Sequence, residues 1–157
     1  MLAPVRYSAS PALEAFIIAS APPHFPTPDA PSDFAALQAW SAAQAPGEPM
    51  PVYDGGCERT IFSSPAVNHA FRAWHDSLHL AHGLGFDKAG EYGTAGLHVE
   101  AAAAAGLSTD DQRALIFEVL GQFEYAAVRG EFPQDQALFI ARCFARGIHG
   151  AVRMGAC

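Results

Sequence analysis

His75 and His79 stand four residues apart in the segment N-H-A-F-R-A-W-H-D-S-L-H-L-A-H-G, which runs from Asn68 to Gly83. On a helix that spacing puts both imidazoles on one face, one turn apart. Two imidazoles so placed can ligate a single metal ion, which is why H-x-x-x-H recurs at helical metal sites. The string H-D-S-L-H is H-E-x-x-H with Asp76 in the glutamate position. In zinc proteases that glutamate deprotonates a water held by the metal. Aspartate is one methylene shorter, and no G-x-x-H follows at the metzincin spacing, so the chain does not read as a protease. Asp76 and Arg72 lie on adjoining positions of the same surface. The first is a candidate general base, the second a candidate partner for an anionic substrate group. His82 falls one turn beyond His79 and reads as a further ligand or as a charge at the helix C-terminus. A solvated helix face can carry such a histidine pair too, so the reading depends on the other helices.

Glu91 and His98 are seven apart, two turns along one face of the next helix. Thr94 and Ala95 between them are small enough to let that face approach a neighbour. Antiparallel packing would bring Glu91 or His98 level with His75 or His79. Two histidines and a carboxylate with open positions suit Zn, Mn or Fe(II). The plainer alternatives are compensation of the helix dipole by Glu91 and an ordinary interface histidine at position 98.

A third helix carries Glu118, Gln122 and Tyr125 among Leu115, Ile116, Phe117, Val119, Leu120 and Phe123. Polar groups buried there without partners cost about 1–3 kcal/mol each, so they serve a hydrogen-bond network or a site. Glu118 is a second candidate base, and Gln122 and Tyr125 are candidate cofactor-binding residues. Gly121, inside the same helix, admits a close neighbour or ligand. A di-iron centre needs two E-x-x-H motifs and the chain has none, so one divalent ion is the economical reading. Tyr53-Asp54-Gly55-Gly56 reads as a turn, and Asp135 and Gln136 as first-turn helix residues.

These residues need helices to hold them. Eleven of the twelve prolines lie at or before Pro65, so the first part of the chain must be short elements joined by loops. There the signals predict a helix from Pro11 to about Ser20, an extended connector from Ala21 to Pro31, and a helix capped by Ser32 or Asp33 through about Gln44. Val52-Tyr53 and Thr60-Ile61-Phe62 around Asp54-Gly55-Gly56 predict a small hairpin. The remainder predicts four helices: about Pro65 to His82, Asp87 to Ala105, Ser108 to Arg129, and Pro133 to Arg146. The expected fold class is therefore mainly α. It is an antiparallel bundle of about four helices over residues 65–157, with a Pro-rich arm of short helices over residues 1–64 packing on it as one compact unit.

The chain has 157 residues, with nine basic against sixteen acidic and a net charge of −7. That balance argues against a phosphate-binding face, and so against a nucleic-acid partner. The cysteines are Cys57, Cys143 and Cys157, an odd number with no C-x-x-C, so neither a disulfide framework nor a four-cysteine zinc site is expected. The start, M-L-A-P-V-R-Y, does not read as a signal peptide, and the apolar runs are shorter than a membrane span, so a cytoplasmic protein is expected. Its partners are expected to be a small-molecule substrate, a second copy of the chain or a host protein.

The stretch from Val52 to Glu91 resembles a family of small uncharacterised bacteriophage and prophage proteins. The resemblance rests on V-Y-D-G-G, T-I-F-S-S-P, V-N-H-A-F-R-A-W-H-D-S-L-H and G-F-D-K-A-G-E, with G-Q-F-E-Y and G-E-F-P-Q-D-Q adding to it. It implies a phage protein at work in the host cytoplasm and brings no activity with it. His75-Asp76 also resembles the signature of the HD phosphohydrolases. That superfamily needs an earlier His and a later Asp, here His24 and one of Asp110, Asp111 or Asp135. His24 lies in the Pro-rich connector and not on a helix, which departs from the family pattern.

The leading expectation is a metal-dependent hydrolase acting on a small molecule, with phosphorylated and nucleotide-like compounds as candidates. His75 and His79 would be ligands, completed by Glu91 or His98. Asp76 or Glu118 would be the base, and Arg72 the anion partner. The alternatives are a non-catalytic phage accessory protein that binds a host factor through its arm, and an atypical HD-type phosphohydrolase.

Overall fold

The computed structural model describes residues 4–155, so Cys157 lies outside the described residues. The chain is mainly helical with a two-stranded parallel sheet. In order the elements are α1 (Pro11–Ser20), β1 (His24–Thr27), α2 (Phe34–Ala43), β2 (Met50–Tyr53), α3 (Pro65–His82), α4 (Lys88–Ala104), α5 (Thr109–Ile116), a π-helical turn (Phe117–Gly121), α6 (Gln122–Arg129) and α7 (Gln136–Arg153).

Side-chain caps start the helices close to where the sequence places them, except that the last helix opens at Gln136 with Asp135 as its cap and not at Pro133. Ser10, Asp33, Ser64, Asp87, Ser108 and Asp135 each accept from the backbone N–H three residues on, which satisfies one of the donors a helix start leaves open. Pro11 and Pro65 occupy first helical positions, where no amide donor is needed. Gly83 ends α3 in the left-handed region with φ of 64°.

The expected hairpin does not form. Val52 and Tyr53 do lie on a strand, but β2 pairs in parallel with β1, His24 against Met50 through Thr27 against Tyr53. Parallel strands need a long crossover, and α2 with its flanking loops supplies it. Both strands contain a proline. Met50 N–H donates to the Pro23 carbonyl at 2.8 Å, and in an alternating ladder this turns the nitrogen of the next residue, Pro51, away from the partner strand.

Two further boundaries differ from expectation. The helix expected from Ser108 to Arg129 is interrupted by the π turn, and the last helix runs beyond Arg146 to Arg153 across a kink at Gly147 (φ 70°, ψ 168°). At the π turn, Gly121 lets α7 come close. A Cβ there would stand 3.2 Å from Phe139 Cε1 and 3.5 Å from Cys143 Sγ.

One core joins both parts of the chain. Leu13 and Ile17 of α1 are fully buried with Phe71 and Trp74 of α3 and Phe139 and Ile140 of α7. Tyr7 stacks on Phe144 with ring centroids 4.6 Å apart. Asp135 is buried, caps α7 and pairs with Arg6 at 2.7 Å, so its role is to hold the N-terminal segment. Among the described residues no helix is long and apolar enough to cross a membrane.

Candidate metal centre

Helix α3 presents His75 and His79 on the face that meets α4, and α4 answers with Glu91 from its first turn. His75 Nε2 and His79 Nε2 are 3.0 Å apart. The Glu91 carboxylate lies 3.4 Å from the first and 3.6 Å from the second. One ligand atom from each of the three residues falls within 4.8 Å of the others, a set of two imidazoles and a carboxylate able to hold one metal ion.

The loop after α3 aims His79. Gly83 turns the chain back over the helix end, and Leu84 N–H donates to the His79 carbonyl at 3.0 Å. The Leu84 carbonyl in turn accepts from His79 Nδ1 at 2.8 Å. With its proton on Nδ1, the imidazole offers a lone pair at Nε2, the nitrogen that faces Glu91. His79 is completely buried, with the Phe86 ring 4.8 Å away.

His98 stands behind His75 and outside the three-residue set. Its Nε2 is 3.1 Å from His75 Nδ1, and its ring packs edge-on against Trp74 at 4.0 Å. Burial, with the charges of His75 and His79, holds it well below the ordinary histidine range, so it is neutral. A neutral His98 accepting from His75 Nδ1–H leaves His75 Nε2 free to ligate. His98, a candidate ligand beside Glu91 in the sequence, thus meets the back of the His75 ring and not the three-residue set. Its own Nδ1 is buried without a partner.

Electrostatics follow from the cluster. Burial pushes the Glu91 carboxyl up, but hydrogen bonds and charge from His75 and His79 overcome it and hold it at about 2. For His79, burial lowers the value, and the bonds to Glu91 and Leu84 more than restore it. Burial raises the Asp76 carboxyl from its ordinary value, against the pull of His75 and His79.

Two hollows meet at the cluster. One, of about 380 Å³, is lined by Phe71, Arg72, His75, Glu91, Glu118 and Gln122, among others. The other, of about 450 Å³, shares His75 and Glu91 and adds Asp76, Ser32 and Phe86. Asp76 and Arg72 therefore reach the site from different sides. The Arg72 guanidinium donates to the Tyr53 carbonyl and lies 5.7 Å over the Tyr53 ring, which fixes it at the rim.

Glu118 sits in the π turn, a distortion that often marks functional positions. Its Oε2 accepts from Gln122 Nε2 at 2.6 Å, and its Oε1 is buried with no partner. Burial pushes its carboxyl up to about 8, with only partial relief from the Arg72 charge and the Gln122 bond. A carboxyl held there by burial keeps its proton at neutral pH, the state of a donor; the sequence offers the same residue as a candidate base.

Tyr125 takes no part in the hollows. It is buried edge-on against Phe139, ring centroids 5.1 Å apart. His82 is exposed at the end of α3. The residues an HD site would need are engaged elsewhere. His24 Nδ1 is 2.8 Å from the Pro22 carbonyl, Asp111 accepts from Ser10 and Ser108, Asp110 pairs with Arg113, and Asp135 pairs with Arg6. Sequence reasoning missed the Leu84 carbonyl; the Gly83 stop signal, which returns the chain over α3, is the feature that points to it.

No protein-family model, curated protein or solved structure matches the chain.

Proposed function

We propose that the protein is a metal-dependent hydrolase whose single divalent transition-metal ion, Zn, Mn or Fe, is held by His75, His79 and Glu91. The convergence of these three ligand atoms on one point, with His79 aimed by the Leu84 carbonyl, carries the reading. An ion bound there supplies a Lewis acid and a water of lowered pKa. The protein's own residues do the rest. Asp76, next to His75 and lining a hollow with it, accepts the proton of the attacking water. Glu118, in the other hollow, donates a proton to the leaving group through its unpartnered oxygen. Arg72 neutralises an anionic group of the substrate at the rim, which favours a small phosphorylated or nucleotide-like molecule. Helices α3 to α7 serve as an antiparallel bundle around this centre, a reading supported by the packing of α3 on α4 and of α7 on the π turn.

A panel of small phosphomonoesters, phosphodiesters and nucleotides tests the reading. Turnover should appear with added metal, stop with a chelator, and be absent from His79→Ala. Turnover that is indifferent to both chelator and His79→Ala contradicts it. The absence of turnover on the whole panel, from protein shown to carry the ion, would place the metal in a structural or binding role.

A further inference from the structure

Cys57 lies outside the metal centre and forms a pair with a histidine. Its Sγ is 3.4 Å from His69 Nε2, and the Asn68 side-chain amide donates to the sulfur at 3.1 Å. The remaining neighbours of the sulfur are the Asp54 and Gly55 carbonyls, at 3.5 and 3.6 Å. The thiol is half-buried, near the start of the loop that joins β2 to α3, and Asn68 and His69 are consecutive on α3. Asn68 is buried and lines the 380 Å³ hollow together with Gly55 and Gly56, so the cluster meets a cavity able to admit a ligand through Asn68.

The parts have complementary roles. A thiol becomes a strong nucleophile when a base takes its proton, and a hydrogen-bond donor on sulfur favours the thiolate that results. Imidazole within hydrogen-bond reach is the usual base. Burial holds His69 below the ordinary histidine range, with Arg72 and His24 acting in the same direction and the Asp54 carbonyl and carboxylate opposing, so the ring is neutral at pH 7 and open to a proton.

We propose that Cys57 and His69 form a second reactive centre, in which Cys57 Sγ is acylated by a small activated ester or thioester. His69 Nε2 takes the thiol proton, the sulfur electron pair forms the bond to the acyl carbon, and the alkoxide or thiolate leaves with that proton. Cys57 is left as a thioester. Nothing in this step passes through His75, His79 or Glu91, so it stands or falls apart from the hydrolase reading.

4-Nitrophenyl acetate tests it on the full chain at pH 7, with phenolate release followed by absorbance and the acetyl group located by peptide mass spectrometry. Mapping separates Cys57 from the buried Cys143 and from Cys157. Cys57 should be acetylated on the order of tenfold faster than glutathione under the same conditions. The rate should fall about tenfold in His69→Gln and the acetyl group should vanish from this position in Cys57→Ser. Acetylation of Cys57 no faster than that of glutathione overturns the proposal, and so does an unchanged rate in a folded His69→Gln. Should His69→Gln fail to fold, the comparison of wild type with glutathione decides alone.

Discussion

The Leu84 carbonyl oxygen lies 2.8 Å from His79 Nδ1, so the turn that ends α3 also orients the most deeply buried imidazole of the cluster. Gly83 makes that turn possible through its left-handed backbone (φ 64°), with no neighbouring atom in the way of a side chain. Gly83→Ala should therefore cost about 1 kcal/mol in denaturant unfolding, from backbone strain alone. It should also weaken metal affinity if the Leu84 carbonyl shifts. A loss of stability well above this value would mean that the turn does more than set one dihedral angle.

His98 separates a positioning role from a ligand role. Its Nε2 is placed to accept from His75 Nδ1 and is not aimed into the three-residue set. His98→Gln should lower metal affinity roughly tenfold to a hundredfold while leaving the stoichiometry unchanged. Calorimetric titration with Zn or Mn reads both quantities. Complete loss of binding in a folded variant would make His98 a ligand after all.

Glu118 makes a pH-dependent contribution whose sign can be worked out. Its ordinary value is 4.5 and burial raises it to about 8 in the folded chain. Between those values the folded state holds a proton that the unfolded state has lost. Raising the pH therefore favours unfolding, and the contribution present below 4.5 is lost as pH climbs to about 8. Glu118→Gln keeps the shape and cannot ionise. The stability of wild type minus that of Glu118→Gln should fall by about 1.4 kcal/mol per pH unit through this window. A flat difference would show that Glu118 ionises normally in the folded state.

Gly121 is where α7 meets the π turn. A Cβ there would press on Phe139, which is itself fully buried and has no room to yield. Gly121→Ala gains about 1 kcal/mol in helix propensity but overpacks the contact at a typical cost of about 1–3 kcal/mol. A net loss of stability of about 1 kcal/mol is expected in thermal or denaturant unfolding. Net stabilisation would show that the helices can separate without cost.

Much of the site is legible in the sequence because its signals are local. Ser64-Pro65 and Gly83 bound α3, Asp87 opens α4, and spacings of four and seven place His75, His79, Glu91 and His98 on facing surfaces. Spacing gives the face of a helix but not the depth at which a side chain ends, so His98 and Tyr125 read as equals of the residues that line the hollows. The β1–β2 pair is hidden because its partners lie on either side of α2, and Asp54-Gly55-Gly56 offers a closer, false turn. The π turn leaves no mark beyond Gly121, whose role appears only once α7 is packed against it. The Cys57–His69 pair escapes for the same reason as the sheet, since a loop and a helix meet there without a local pattern.

His75, His79 and Glu91 should together bind one metal ion. Plasma mass spectrometry on untagged, metal-reconstituted protein, beside a His75→Ala/His79→Ala double variant, tests it most directly. About one equivalent of a divalent transition metal is expected in the wild type and none in the folded double variant. Wild-type protein that stays metal-free after reconstitution, or a double variant that retains the full equivalent, would contradict it.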